Sequence, residues 1–242
     1  MRVTWEEAGW ERLADGVGRC RLPGWDCTVG LVVGAGSALL IDAGSSLAEG
    51  ARLRTEARAL AGHAVTHLAL THAHFDHVFG AAEFADAEVF GAVGVERVLT
   101  EERADLRADA IENGLHARVA DEAVAALTHP RHLVPDELTL PLGDDRQVRL
   151  ANVGPGHTAH DLAVLVLVPG SRPIVFCGDL VEESGEPQAG PDAVPPRWPA
   201  ALDRLLTLGG EDAVYVPGHG AVVDAGFVRA QRDALATRFG VS

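Results

Sequence analysis

Apolar and polar positions divide the chain into short apolar runs and longer amphipathic stretches. In the first 44 residues, the runs VGRCRL, CTVGLVV and SALLIDAG are separated by the turn signals PG and GAG, which predicts antiparallel strands. Residues 46–61 have Leu47, Leu53 and Leu60 among their apolar positions, which favours a helix. This helix leads into HLALTH, a pattern typical of a short buried strand.

A mainly helical segment is predicted at about residues 92–132, because this region is rich in Ala, Glu, Arg and Asp. A possible strand, AEVFGA, stands at its start. The stretch 101–128 is amphipathic and can be an insertion over a site or, more simply, a helix packed on a sheet. Its apolar positions near helical spacing are Leu106, Ala110, Leu115 and Val119.

The second half of the chain repeats the alternation of strands and helices. The predicted strands are LTLPL, QVRLANV, LAVLVLV, PIVFCGD and AVYV. A Pro-rich loop, EPQAGPDAVPP, precedes the helix WPAALDRLLTL, and FVRAQRDALATRF forms a closing helix. Since no shift in composition marks a linker, the sequence predicts one α/β domain over residues 1–242.

Composition narrows the possible partners. The formal net charge is −15, and all 20 cationic residues are Arg without a basic cluster, so no nucleic-acid partner is expected. No apolar run approaches the ~20 residues of a membrane span, so no membrane partner is expected. The start, MRVTWEEAGWERLADG, carries charges where an export signal needs apolar residues, which predicts a cytoplasmic protein. The sequence leaves the oligomeric state open.

The three cysteines, Cys20, Cys27 and Cys177, form no CxxC motif. Cys20 and Cys27 could face each other across the turn at Pro23-Gly24, but free thiols are favoured in a reducing cytosol. Cys177 is expected in the core.

The stretch THAHFDH contains four metal-ligand side chains within six positions. At a strand end, residues two apart project to one side, so His72 and His74 can reach one ion. Asp76 and His77 are expected in the following loop and can face a second ion. Imidazole and carboxylate ligands suit zinc, and also iron or manganese.

Two ions need more ligands than this stretch offers. Three candidates each follow a predicted strand at a glycine-bearing loop: His157 in NVGPGHT, Asp179 in FCGDL and His219 in VPGHG. Each alone is a weak signal, but the shared strand-end setting favours a single site.

In chain order, THAHFDH, GHT, GD and PGHG resemble the signature of the metallo-β-lactamase-fold hydrolases, and IDAG at 41–44 resembles the family's early Asp-Gly turn. The resemblance runs from about Gly16 to Gly220. It implies a four-layer αβ/βα sandwich with the site at one edge, where the strand-end loops converge.

The resemblance also implies a dinuclear site, with two Zn²⁺ as the expected cofactors and iron or manganese possible. The ligands would be His72, His74 and His157 on one ion, Asp76, His77 and His219 on the other, and Asp179 between them. A metal-bound hydroxide would attack the substrate, and Asp76 would orient it as the catalytic residue. Asp42 is expected to support the ligand loops.

The activity that follows is hydrolysis of a small ester, thioester or lactone. True β-lactamases lack this bridging Asp, flavodiiron proteins carry Glu where His74 stands, and ribonuclease-type members usually have basic surfaces. Glyoxalase II-like enzymes share the ligand set but extend further beyond the final His with a glutathione-binding region. The alternatives are a mononuclear-iron persulfide dioxygenase-like enzyme of this fold and a non-catalytic metal-binding member.

Substrate contacts are unknown at this stage. His160 can point into the pocket, Trp25 can form a flap over the substrate, and Trp198 is expected to begin a helix. His129 and His132 are weaker candidates. Arginines interleave with acidic residues in the helical segment, so at most one is expected to face the site and pair a single carboxylate. They are Arg103, Arg107, Arg118 and Arg131.

Overall fold

The strands form two sheets in the computed structural model, which describes residues 3–143 and 146–241. The first sheet has the strand order β1 to β7, antiparallel through β4 and parallel from β4 onward. Its strands are β1 (Glu11–Ala14), β2 (Val17–Arg21), β3 (Thr28–Val33), β4 (Ala38–Ile41), β5 (His67–Ala69), β6 (Glu88–Ala92) and β7 (His132–Val134).

The second sheet has the order β12-β11-β10-β9-β8. All its pairings are antiparallel except that of β11 with β12. Its strands are β8 (Glu137–Gly143), β9 (Arg146–Asn152), β10 (Leu162–Val166), β11 (Ile174–Phe176) and β12 (Val214–Val216). The strands β9, β11 and β12 therefore end at the same edge of this sheet.

Helices cover the outer face of each sheet. They are α1 (Leu47–Ala61), α2 (Phe75–Val78), α3 (Val95–Glu101), α4 (Arg103–Glu112), α5 (Ala117–Ala126), α6 (Trp198–Gly209) and α7 (Ala225–Phe239). Short 3-10 turns are formed by Ala81–Phe84, Gly178–Leu180 and Pro195–Arg197. No helix in the described ranges has the length and apolar character needed to cross a membrane.

Three apolar clusters hold four layers together. Between the sheets, Phe90 of the first and Phe176 of the second belong to one cluster. On the outer face of the first sheet, Leu53 of α1 belongs to a second cluster with residues of α2 to α5. On the outer face of the second sheet, Leu202 of α6 and Leu235 of α7 belong to a third. These layers confirm the predicted four-layer αβ/βα sandwich.

Several local predictions need correction. The expected loop after His74 is wrong at its start, because Asp76 and His77 lie in α2, where the N–H of Val78 donates to the carbonyl of His74. The stretch 101–128 forms two helices, because the chain turns at Gly114, whose φ of 96° is left-handed. The edge strand β1 was not predicted, because its sequence ERLA carries no apolar alternation.

All three cysteines are free, as predicted, and all three are buried, which was expected only for Cys177. Cys20 lies opposite Val29 in the β2–β3 register, whereas the carbonyl of Cys27 accepts from the N–H of Leu22, so the two thiols do not face each other. Cys177 is in the core under α6 and α7.

Candidate metal centre

Five strand ends converge at one edge of the sandwich. From the first sheet, Asp42 follows β4 and His72 lies just beyond β5. From the second, His157, Asp179 and His219 lie beyond β9, β11 and β12. The parallel direction of the strands within each set explains why side chains distant in sequence meet here.

The convergence forms three groups of possible metal ligands, each with its ligand atoms within 4.8 Å of one another. The first group is His72, His74, His157 and Asp179, the second is His77, Asp179 and His219, and the third is Cys27, Asp76 and His77. Asp179 belongs to both of the first two groups. Its Oδ2 lies 3.6 Å from Nε2 of His72 and of His157 and 3.1 Å from Nε2 of His219, while its Oδ1 lies 3.1 Å from Nε2 of His77.

Asp76 joins the second group. Its Oδ2 is 3.4 Å from Nε2 of His219 and 3.7 Å from Nε2 of His77. The structure therefore brings together all seven side chains singled out in the sequence.

Asp42 and Thr71 fix two of the imidazoles. The Asp42 carboxylate accepts from the backbone N–H and the hydroxyl of Thr71, both at 2.8 Å, and lies 2.8 Å from Nδ1 of His77. Because the Thr71 hydroxyl donates to Asp42, it accepts from Nδ1 of His72 at 2.9 Å. Both rings thus turn Nε2 toward the centre, and Asp42 has the supporting role expected for it.

The other three imidazoles are held in the same way. Nε2 of His74 lies 3.0 Å from the carboxylate of Asp192, which leaves Nδ1 for the centre. Nδ1 of His157 donates to the carbonyl of Gln188 at 3.1 Å, and Nδ1 of His219 to the carbonyl of Trp25 at 2.7 Å. A ring nitrogen held by a carboxylate or carbonyl is the usual outer contact of a metal-binding histidine.

Two buried atoms at the centre lack a hydrogen-bond partner among the described residues: Nε2 of His72 and Oδ1 of Asp179. The nearby Nε2 of His77 does not make a hydrogen bond to Oδ1 of Asp179, despite the 3.1 Å separation. Nδ1 of His74 and Nε2 of His157, which the outer contacts do not use, lie within hydrogen-bond distance of each other at 3.0 Å. Unsatisfied buried polar atoms are costly, and a cation would satisfy those of His72 and Asp179, so the residues fit a metal centre.

The surroundings shift the pKa values of the imidazoles in opposite directions. Burial, with the positive charge of His77, holds the pKa of His72 well below its usual value, and burial with the charge of His74 lowers the pKa of His157 to about 3. Both rings are therefore neutral near pH 7, as metal ligands must be. Burial disfavours the charged form of His219 too, but the charge of Asp179 outweighs it and raises the pKa to about 9.

His77 and Asp179 shift each other's pKa in opposite directions. Burial opposes the protonation of His77, yet its pKa lies well above the usual value because carboxylates, including Asp179, surround it. The thiol of Cys27 adds no charge near neutral pH, since burial raises its own pKa. For Asp179, burial favours the neutral form, but the neighbouring imidazoles hold its pKa well below the usual value.

Gly218 allows the backbone of the loop before His219 to approach the centre closely. A Cβ at Gly218 would lie 1.8 Å from Oδ1 of Asp179, a distance no real contact allows. The N–H of Gly218 donates to the carbonyl of Gly178 at 2.9 Å, which ties the two ligand loops together. The glycines beside Asp179 and His219 are thus required by close packing of the ligand loops.

A cavity of about 870 Å³ opens over the centre. His74, Asp76, His157, Asp179 and His219 form its floor. Helix α4 forms one wall, and Trp25 and the loop after Asp179 form others. Its size is typical of a small-molecule site.

The weaker sequence candidates divide clearly. His160 lines the cavity, and Trp25 lines it while its indole N–H donates to the carbonyl of Asn113 at 3.1 Å. Trp198 begins α6 and is fully buried, with its ring 5.3 Å from that of His157. His129 and His132 are exposed and do not line the cavity.

At most one arginine was expected to face the site, and no arginine in the described ranges lines the cavity. Sequence reasoning missed Asp192 and Gln188, which orient ligands from a Pro-rich loop with no recognisable motif. Cys27 was missed as a neighbour of the centre, although its Sγ lies 3.7 Å from Nδ1 of His77. It is placed there by an isolated β-bridge to His219, a residue far away in the sequence.

Fold and site together define an enzyme with a metal-binding edge. A family model described as the metallo-beta-lactamase superfamily matches residues 22–219. Since this covers more than half of the sequence, the chain belongs to the metallo-β-lactamase superfamily, and it is a hydrolase of that fold.

Solved structures share the fold at low identity. A structure of TMB-1 is 20% identical with a TM-score of 0.71, and the match covers 95% of this chain and 97% of that one. The metallo-β-lactamase FIM-1 from Pseudomonas aeruginosa, solved in a mono-zinc form, is 19% identical with a TM-score of 0.70, and the match covers 95% of each chain.

One curated relative matches over part of its length. A hydroxyacylglutathione hydrolase from Cupriavidus metallidurans is 41% identical over 61 residues. This match covers 25% of the present chain and 23% of that protein, so it spans about a quarter of either.

Proposed function

We propose that this chain is a dinuclear metal-dependent hydrolase that acts on a small ester, thioester or lactone. The observation that carries the proposal is the pair of buried, unpartnered atoms, Nε2 of His72 and Oδ1 of Asp179, at the meeting point of five imidazoles. The local similarity to a hydroxyacylglutathione hydrolase supports a carbonyl substrate.

Two zinc ions are the cofactors we propose, and iron or manganese would suit the same ligand types. The ligands would be His72, His74 and His157 on the first ion, Asp76, His77 and His219 on the second, and Asp179 on both. Bound zinc would supply a Lewis acid and would lower the pKa of water to about 7.

The residues of the chain would have separate tasks in the reaction. Asp76, in the cavity floor, would orient the water that gives up a proton as its oxygen bonds to the carbonyl carbon. The bond from that carbon to the leaving oxygen or sulfur would break, and the leaving group would receive the proton. Asp42 and Asp192 would keep His77 and His74 in the tautomers that ligation needs.

The proposal is tested by metal analysis and turnover on one purified sample. We expect two ions per chain, predominantly zinc, and hydrolysis of 4-nitrophenyl esters, thioesters or lactones. β-Lactam turnover should be weak. A higher kcat/KM for a bis-aryl phosphodiester than for every carbonyl substrate would contradict the proposal, as would a single iron with oxygen consumption on a persulfide.

The variant Asp179→Asn sharpens this test. It keeps the shape of the side chain but removes the charge shared by both groups, so it should lose one ion and about 100-fold or more in kcat. Metal addition should also raise the Tm of the wild type more than that of the variant. Asp136→Asn, an exposed change outside the cavity, is the matched control. Retention of both ions and full activity by Asp179→Asn would remove Asp179 from the centre.

A further inference from the structure

The α4 wall of the cavity is acidic. Glu102, which precedes α4, and Asp105, Asp109 and Glu112 within it all line the cavity. Their spacings of three, four and three residues place them on one face of the helix. None of the four belongs to any ion pair among the described residues, so their negative charge faces the cavity without a cationic partner. Oδ1 of Asp109 accepts one neutral hydrogen bond, from Nδ2 of Asn113 at 3.1 Å.

The cations of the same segment are held away from the cavity. Arg107 pairs with Asp121 of α5, and Arg118 pairs with Glu122. Nε of Arg103 donates to the carbonyl of Leu99 at 3.1 Å. The helical segment is therefore divided into an outer side, where arginines pair with carboxylates, and an acidic side that faces the cavity.

The charge of this wall reaches the centre. The side chain of Asp109 is exposed within the cavity, yet partial desolvation by the surrounding wall raises the pKa of its carboxyl. His74 lowers that pKa and Asp76 raises it, so the charge of Asp109 is felt at the floor. A ligand over the floor would feel Asp109 in return.

A buried carboxyl, Glu182, is only 8% exposed and also lines the cavity. Burial and the charge of Asp179 raise the pKa of this carboxyl to about 7, so Glu182 is only partly charged near neutral pH. The negative charge of the cavity wall therefore comes mainly from α4.

Trp25 adds a fixed aromatic surface. Its indole N–H is bonded to the carbonyl of Asn113, and its ring packs edge-on against Phe75 with centroids 5.1 Å apart. Both contacts hold the ring in the cavity wall. An aromatic ring beside carboxylates is the combination that recognises ammonium groups, including quaternary ones.

We propose that the cavity selects acyl substrates that carry a positive charge, an ammonium or trimethylammonium group, within a few bonds of the scissile carbonyl. The inference rests on the proposed function, because the unpartnered Oδ1 of Asp179 marks the floor at which the carbonyl would be bound. The acidic wall attracts the cationic end and repels substrates that carry a carboxylate or phosphate in the same place.

The test compares three 4-nitrophenyl esters of nearly equal size. Their acyl groups are 4-trimethylammoniobutanoate, the neutral isostere 5,5-dimethylhexanoate, and the anionic hemiester of glutarate. On the zinc-loaded enzyme, kcat/KM should be about tenfold or more higher for the cationic ester than for the anionic one. The preference should shrink as salt is raised, because exposed charges are screened.

The double variant Asp105→Asn with Asp109→Asn should lower the cationic-to-anionic ratio about tenfold, and two Lys substitutions at these positions should invert it. Asp86→Asn with Asp136→Asn is the control, since it makes the same change in net charge at exposed positions outside the cavity. An unchanged ratio in both cavity variants, or a preference of the wild type for the anionic or the neutral ester, would overturn the proposal.

A binding measurement separates this inference from the proposed hydrolysis. Ligand-observed NMR with butyltrimethylammonium and with butanesulfonate reports the charge preference without turnover. We expect the cation to bind, about tenfold more weakly in the double Asn variant, and the sulfonate not to compete. If no ester is hydrolysed but the cation binds in this way, the proposed hydrolysis fails and the charge selectivity stands. Equal binding of both ions would refute the selectivity even if esters are hydrolysed.

Discussion

The floor and the α4 wall of the cavity are built on opposite principles. At the floor, the functional side chains are largely buried and their free ring nitrogens are aimed by neighbours, as Asp42 aims His77 and Asp192 aims His74. On the wall, Asp105 and Asp109 are exposed and make no ion pair among the described residues. The floor is therefore preorganised, whereas the wall acts on a ligand through the electrostatic field of its carboxylates.

This difference assigns the reaction to the floor and substrate selectivity to the wall. A reacting centre depends on sub-ångström placement, which rigid strand ends and outer hydrogen bonds provide. A field from several exposed charges tolerates side-chain motion and falls off gradually with distance. Changes at the floor should therefore abolish turnover, and changes at the wall should redistribute it among substrates.

The largest effect is expected from Gly218→Ala, which adds a Cβ to a backbone position that contacts a floor ligand. Since the added Cβ would lie 1.8 Å from Oδ1 of Asp179, the carboxylate must move out of both ligand groups. We expect kcat to fall about 100-fold and one ion to be lost. Gly226→Ala is the control, because its Cβ would meet only the Asp224 carboxylate, at 3.1 Å. Wild-type metal content in Gly218→Ala would show that Asp179 is not constrained as described.

A smaller effect is expected from Asp42→Asn. The side chain keeps its shape, and Asn tolerates the left-handed φ of 62° at this position. The amide can still accept from the N–H of Thr71 but no longer offers a second carboxylate oxygen to Nδ1 of His77. We expect about a tenfold loss of affinity for the more weakly held ion, measured by competition with a chromophoric chelator. The near-UV circular dichroism should be unchanged, and an unchanged affinity would leave Asp42 a purely structural role.

The two regions also differ in how far the sequence predicts them. Strand-end positions of His157, Asp179 and His219 are visible because each follows an apolar run and adjoins glycine. These glycines have a physical cause, since any side chain at Gly218 would collide with a ligand. The site was therefore encoded in local patterns that a single sequence displays.

The residues that orient His157 and His74 from outside the centre could not be recognised in the sequence. Gln188 contributes only a backbone carbonyl, and Asp192 lies in a loop without periodicity, so neither leaves a mark in the sequence. The acidic face of α4 did leave one, in the spacing of Glu102, Asp105, Asp109 and Glu112. Its direction could not be read, because both faces of the helical segment carry charge and only packing decides which faces the cavity.

The smallest effect is expected on the outer face of the same helical segment. Arg107→Gln removes the pair with Asp121, in which both side chains are largely exposed. If selectivity comes from the charges that line the cavity, this change should alter the cationic-to-anionic ester ratio less than about twofold, since solvent and salt screen an outward charge. Asp105→Asn, two residues earlier on the cavity face, provides the contrast, and the three-ester assay at two salt concentrations measures both. Equal shifts in the two variants would mean that the net charge of the segment, rather than its inner face, sets the preference.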